Sequence, residues 1–86
     1  MTITVKLFGA YRQYATENPL QLDLDANTAT AAQVREALRA YAGTNWPNFP
    51  AKLIDASAIS TSQEVLRDTD IVNETELAVL PPVSGG

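Results

Sequence analysis

Apolar and polar residues alternate over the opening positions, and a period of two is the signature of a half-buried strand. Ile3, Val5 and Leu7 fall on one side and Thr4 and Lys6 on the other, which predicts a strand over Thr2 to Gly9. Phe8 falls on the Thr4/Lys6 side near the strand end, a candidate for a second apolar surface. Ala10 to Ala15 has the length of one helical turn. Leu20, Leu22 and Leu24 then alternate with Gln21, Asp23 and Asp25, predicting a second strand that forms an antiparallel hairpin with the first.

The period then changes. Thr30 followed by Gln33 has capping-box spacing, in which the hydroxyl accepts from a first-turn amide and the Gln side chain reaches back. Val34, Ala37, Leu38 and Tyr41 recur at helical spacing, and Gly43 is placed to take the left-handed C-terminal cap. Arg35 and Arg39 lie one turn apart off that stripe and read as a solvated face. From Thr44 to Pro50 two prolines rule out regular structure, and Trp46 and Phe49 read as core plugs rather than a ligand platform. Ile54, Ala56, Ala58 and Val65 outline one or two short strands around a polar turn at Ser60 to Gln63. Asn73-Glu74-Thr75 reads as a tight turn, with Asn73 the residue best able to take a positive φ. Glu76 to Leu80 is almost continuously apolar, as in a central strand covered on both faces.

The order strand, strand, helix, short strands, strand points to an α+β fold of β-grasp (ubiquitin-like) type. One main helix packs on one face of a mixed sheet, with the first and last strands parallel at its centre. The 86 residues suffice for one core. The expected organisation is a β-grasp domain over 1–80 and an extended functional tail over 81–86.

Composition removes several chemistries. A net charge of −4 argues against a nucleic-acid partner, since phosphate affinity needs clustered Lys and Arg. With no Cys and no His, thiolate and imidazole chemistry are excluded. Asp68, Asp70, Glu74 and Glu76 lack calcium-loop spacing and read as solvated turns, so no metal is expected. No apolar run approaches a membrane span, and the expected location is cytoplasmic.

After Leu80 the pattern breaks. Pro81 and Pro82 cannot extend a central strand and favour a stiff, extended spacer. Val83 and Ser84 follow, and Gly85 and Gly86 add backbone without Cβ atoms. Such an arm reaches on the order of 20 Å, at about 3.3–3.6 Å per residue. The carboxylate of Gly86 is the expected working group. A carboxylate is a poor electrophile until it is activated, typically as an acyl-adenylate made with ATP. A sulfur donor can then displace AMP to give a thiocarboxylate, or a lysine can displace it to give an amide.

The run Leu77 to Gly86 (Leu-Ala-Val-Leu-Pro-Pro-Val-Ser-Gly-Gly) resembles the ending of the MoaD/ThiS sulfur-carrier family, and of molybdopterin synthase small subunits in particular. Val5 to Arg12 (Val-Lys-Leu-Phe-Gly-Ala-Tyr-Arg) is similar to that family's first strand and turn. The resemblance implies a β-grasp fold and adenylation of Gly86 by an E1-like adenylyltransferase that consumes ATP. Thiocarboxylation follows, with sulfur transfer to cyclic pyranopterin monophosphate to form the molybdopterin dithiolene. It also implies a heterotetramer of two small and two large subunits, with the catalytic side chains in the large one. This chain would then be a non-catalytic sulfur-donating subunit with no bound cofactor, its partner surface drawn from Phe8, Leu77, Val79 and Leu80. Arg12 is a weaker candidate for the same surface. Here the sequence departs from the family at Asn73-Glu74-Thr75 and near Ser60-Thr61, and it is aliphatic rather than aromatic before the prolines. A thiamine-type sulfur carrier, a ubiquitin-like modifier joined through Gly86 and an interaction module with an inert tail are the alternatives.

Overall fold

The computed structural model describes residues 1–24 and 28–82. Strands β1 (Thr2–Leu7) and β2 (Leu20–Asp23) form the expected antiparallel hairpin, with Ile3 opposite Leu22 and Val5 opposite Leu20. A short 3-10 helix, Gly9–Gln13, fills the place of the single helical turn. Continued two residues beyond Val5 and Leu20, the hairpin register would set Leu7 opposite Asn18. There the Asn18 carboxamide substitutes for backbone, accepting from Leu7 N–H (3.0 Å) and donating to its carbonyl (2.9 Å).

Helix α1 spans Ala31–Asn45 and begins with the capping box. Thr30 Oγ1 accepts from Gln33 N–H at 3.3 Å, and Gln33 Oε1 accepts from Thr30 N–H at 2.8 Å. The carbonyls of Asp70 and Asp68 accept from Ala31 and Ala32, so the first-turn donors that a helix leaves open find partners. The far end differs from expectation. The helix runs through Gly43 to Asn45 and is capped at Trp46, whose N–H bonds the Ala42 carbonyl. Gly43 therefore sits inside the helix, and Thr44 and Asn45 are helical rather than loop. The extra residues bring Trp46 over the sheet, where it is 3% exposed and meets the rings of Tyr11, Tyr41 and Phe49. Positive φ belongs to Asn48 (62°) and not to Asn73; that turn returns Phe49 to the cluster.

Ile54 and Ala56 belong to a short helix, α2 (Lys52–Ala56), and not to a strand. Strands β3 (Ala58–Ser60) and β4 (Val65–Leu66) follow as a hairpin around the polar turn. In that turn Thr61 Oγ1 accepts from Gln63 and Glu64 at 3.1 Å each. Strand β5 (Glu76–Leu80) lies between β1, to which it is parallel, and β3, to which it is antiparallel. Among the described residues the sheet has five strands in the order β2-β1-β5-β3-β4. With α1 across one face, this is the β-grasp arrangement. Ile3, Val5, Leu7, Leu20, Leu77 and Val79 meet Val34, Leu38 and Ala42 in a single core. No helix among the described residues is long and apolar enough to cross a membrane.

Arg35 is not a solvated residue. Its guanidinium donates to the carbonyls of Ile54 (2.5 Å) and Ser57 (2.8 Å) and to Asp68 (3.1 Å), with the side chain only 14% exposed. It thus closes the C-terminal end of α2 and ties it to α1 and to the loop before β5. Arg39 reaches Glu36 and Asp55 on the outside of the same seam. Arg35→Ala removes the guanidinium from the Ser57 carbonyl and leaves the Ile54 carbonyl only the Ser57 N–H (3.2 Å), and it should cost about 2–3 kcal/mol in urea unfolding, as expected for bonds to a charged group. Arg35→Lys, a point charge without the fork, should restore less than half. A loss below about 0.5 kcal/mol for Arg35→Ala would show that water replaces the guanidinium.

Candidate functional site

The sheet has one covered and one open face, and the last strand decides what the open face displays. Leu77 and Val79 point into the core at 2% and 1% exposure, so neither is reachable by a docking partner. Glu76, Ala78 and Leu80 point outward, which corrects the expectation that both faces of this strand are covered. The near-continuous apolar run has a different cause: its outward members form part of a surface patch.

Phe8 and Leu80 anchor that patch, at 41% and 37% exposure. The β1/β5 register pairs Lys6 with Ala78 and Leu7 with Val79, so one further step brings Phe8 beside Leu80 at the tail end of the sheet. On the other flank Ala58 pairs with Leu80. Val65, 62% exposed, lies next across the hairpin from Ser60. At the opposite end of the open face a shallow depression of about 170 Å³ is lined by Lys6, Ser60, Thr61, Glu74, Glu76 and Ala78, among others. Its charges are mixed, and Ser62 Oγ already donates to Glu74 at 3.1 Å. Among the described residues no group of three or more His, Cys, Asp or Glu is placed to hold a metal.

The ladder stops at Leu80 because the next two residues have no amide hydrogen. Pro81 is half-buried and Pro82 exposed. The Pro81 ring lies against Gly9, where an added Cβ would come within 2.7 Å of Pro81 Cγ. Gly9 has φ +60°, a conformation that carries no steric penalty only without a side chain. Val83, Ser84, Gly85 and Gly86, which carry the sequence-based expectation for the working end, lie outside the described residues. Arg12 is exposed in the last turn of the 3-10 helix.

Beneath the patch, Tyr11 fixes the turn that carries Phe8 and Gly9. Its hydroxyl lies 2.6 Å from Ser57 Oγ, and Ser57 Oγ in turn lies 2.6 Å from the Leu53 carbonyl. The hydroxyl hydrogen of Ser57 goes to that carbonyl, which makes Tyr11 the donor to Ser57. Burial pushes the Tyr11 phenol above its ordinary value, so it stays a donor at all moderate pH. Sequence reasoning missed the pairing of Gly9 with Pro81. The available signal was a glycine directly after a strand and before a turn.

The sequence model of the ThiS family matches residues 5–86. The molybdopterin synthase sulfur carrier subunit of Synechococcus elongatus is 36% identical over 90 residues, covering 99% of this chain and 97% of that protein. The crystal structure of SAMP1 from Haloferax volcanii superposes with a TM-score of 0.72 at 24% identity, covering all of both chains.

Proposed function

This chain belongs to the ThiS family, and from that premise we propose that it is the sulfur-carrying small subunit of a molybdopterin synthase. The observation that carries this reading is the near-full-length likeness, at 36% identity, to the Synechococcus subunit of that name. Residues 1–80 are the platform and 81–86 the arm, with Gly86 as acyl carrier, Gly85 as the slim neck and Pro81 and Pro82 as the spacer. An E1-like partner supplies ATP, and an oxygen of the Gly86 carboxylate attacks its α-phosphorus, releasing pyrophosphate. A sulfide-level donor then displaces AMP and leaves a thiocarboxylate. Each thiocarboxylate delivers one sulfur to cyclic pyranopterin monophosphate, so one dithiolene consumes two charged arms. The absence of Cys and His agrees with a chain that presents a substrate group and leaves proton transfer to the large subunit. Phe8 and Leu80, at the root of the arm, form the apolar centre of the surface that docks that subunit.

Intact-mass analysis of the protein from its native cell tests the reading. A fraction should be heavier by the difference between one sulfur and one oxygen atom. Deleting Gly86 should abolish that species and leave thermal unfolding unchanged, since a glycine has no side chain to bury. Modification at an internal position in place of the tail would overturn the carrier role. Lysine conjugates lost on the same deletion would identify a modifier instead. Loss of thiamine synthesis with molybdoenzymes intact would identify the thiamine branch.

A further inference from the structure

Gly9 and Pro81 come from opposite ends of the chain and meet where β1 and β5 both finish. The parallel register that joins Leu7 to Val79 would carry on to set Gly9 beside Pro81. Pro81 cannot donate a further ladder bond, and its ring occupies the space a Cβ on Gly9 would need. The three ring carbons Cγ, Cδ and Cβ would lie 2.7, 3.6 and 3.9 Å from such an atom. Two rigid bodies therefore abut: a pyrrolidine ring with fixed φ, and a backbone turn held in place by Tyr11 two residues later. Tyr11 bonds back to the Phe8 carbonyl through its N–H at 3.3 Å and to Ser57 through its hydroxyl at 2.6 Å.

We propose that Gly9 is a positioning residue for the tail: lacking a side chain, it seats the Pro81 ring, and that seat fixes the direction in which the arm leaves the sheet. The inference rests on the reading of residues 81–86 as a carrier arm. It gives the opening strand-turn segment a part in delivery. A Cβ at position 9 would lift the ring, and the stiff spacer would transmit the tilt to the tip. A displacement near 1 Å at a reacting group can cost on the order of 100-fold in rate.

The test separates seating from backbone strain. Because the chain has no Cys, Ser84→Cys provides a single attachment point for a nitroxide, and paramagnetic broadening of backbone amides maps where the arm spends its time. Gly9→Ala should redistribute that broadening, and so should Pro81→Ala. Combining them should give the Pro81→Ala pattern alone, because without the ring the new Cβ has nothing to displace. Gly9→Asn, which tolerates positive φ better than Ala, should match Gly9→Ala in broadening while melting at a higher temperature. The strain of positive φ acts in both Pro81 backgrounds and so drops out of the cycle. An unchanged pattern in Gly9→Ala, or the same change with and without the ring, overturns the seat. With the activating enzyme, kcat/KM for thiocarboxylate formation should fall between about 10- and 100-fold in Gly9→Ala, and an unaltered value also overturns it. If the broadening cycle holds and even the unsubstituted chain is never charged with sulfur, the seat stands and the carrier reading falls. Normal charging with an additive cycle gives the reverse.

Discussion

Replacing Phe8 and Leu80 together by Ala should, on the reading proposed above, weaken binding to a molybdopterin synthase large subunit between about 100- and 1000-fold in a calorimetric titration. Buried apolar anchors at the centre of an interface are typically worth about 2 kcal/mol each, and about 1.4 kcal/mol is a factor of ten. Phe8 and Leu80 are adjacent at the end of the ladder, so their losses will not sum fully. Both are more than a third exposed in the free chain, and the double variant should keep its melting temperature within a few degrees. Leu77→Ala and Val79→Ala, by contrast, should lower stability and affect docking only through it. Full affinity in the double variant would move the interface to another face.

Trp46→Ala should lower the unfolding free energy by about 3–5 kcal/mol, the usual range for removing a large buried ring. A chain of this size has roughly 4–13 kcal/mol in total, so the variant will stand near the edge of folding. Its melting temperature should fall on the order of 20 °C by calorimetry. The severity follows from position. Trp46 caps α1 and meets Tyr11, Tyr41 and Phe49 at ring separations of 6.4, 5.8 and 5.1 Å. Losing it unseats Tyr11, and with Tyr11 the turn under Phe8 and Gly9. Trp46→Phe should recover most of the loss, and a cost below about 1 kcal/mol for the Ala variant would contradict a central role.

What the sequence showed and hid follows from how local each cause is. The β1/β2 hairpin and the start of α1 rest on alternation and on a cap completed within four residues, Thr30 to Gln33, and both formed as expected. The end of α1 did not, because the cap at Gly43 is set aside by a tertiary demand: Trp46 must reach the core. Ile54 and Ala56 could not be assigned from a short apolar run, which reads alike as strand or helix. The segment becomes helical where Arg35, nineteen positions earlier, accommodates its last carbonyls. The outward side of β5 was misread for a related reason. A continuous apolar strand marks burial on both faces or burial on one with apolar residues exposed on the other, and only the packed structure separates them. At the site, the prolines were plain as punctuation, whereas the Gly9–Pro81 contact depends on register between the two ends of the chain.

The parallel pairing of β1 with β5 also determines how the fold bears mechanical load. A pull on the arm runs along the axis of β5, across the hydrogen bonds to β1 on one side and to β3 on the other. Those bonds are loaded in shear and must yield together, whereas a strand pulled sideways from an edge would unzip one bond at a time. On the proposed reading, a partner that took hold of the tip would load the sheet along this shear direction and not by peeling an edge strand.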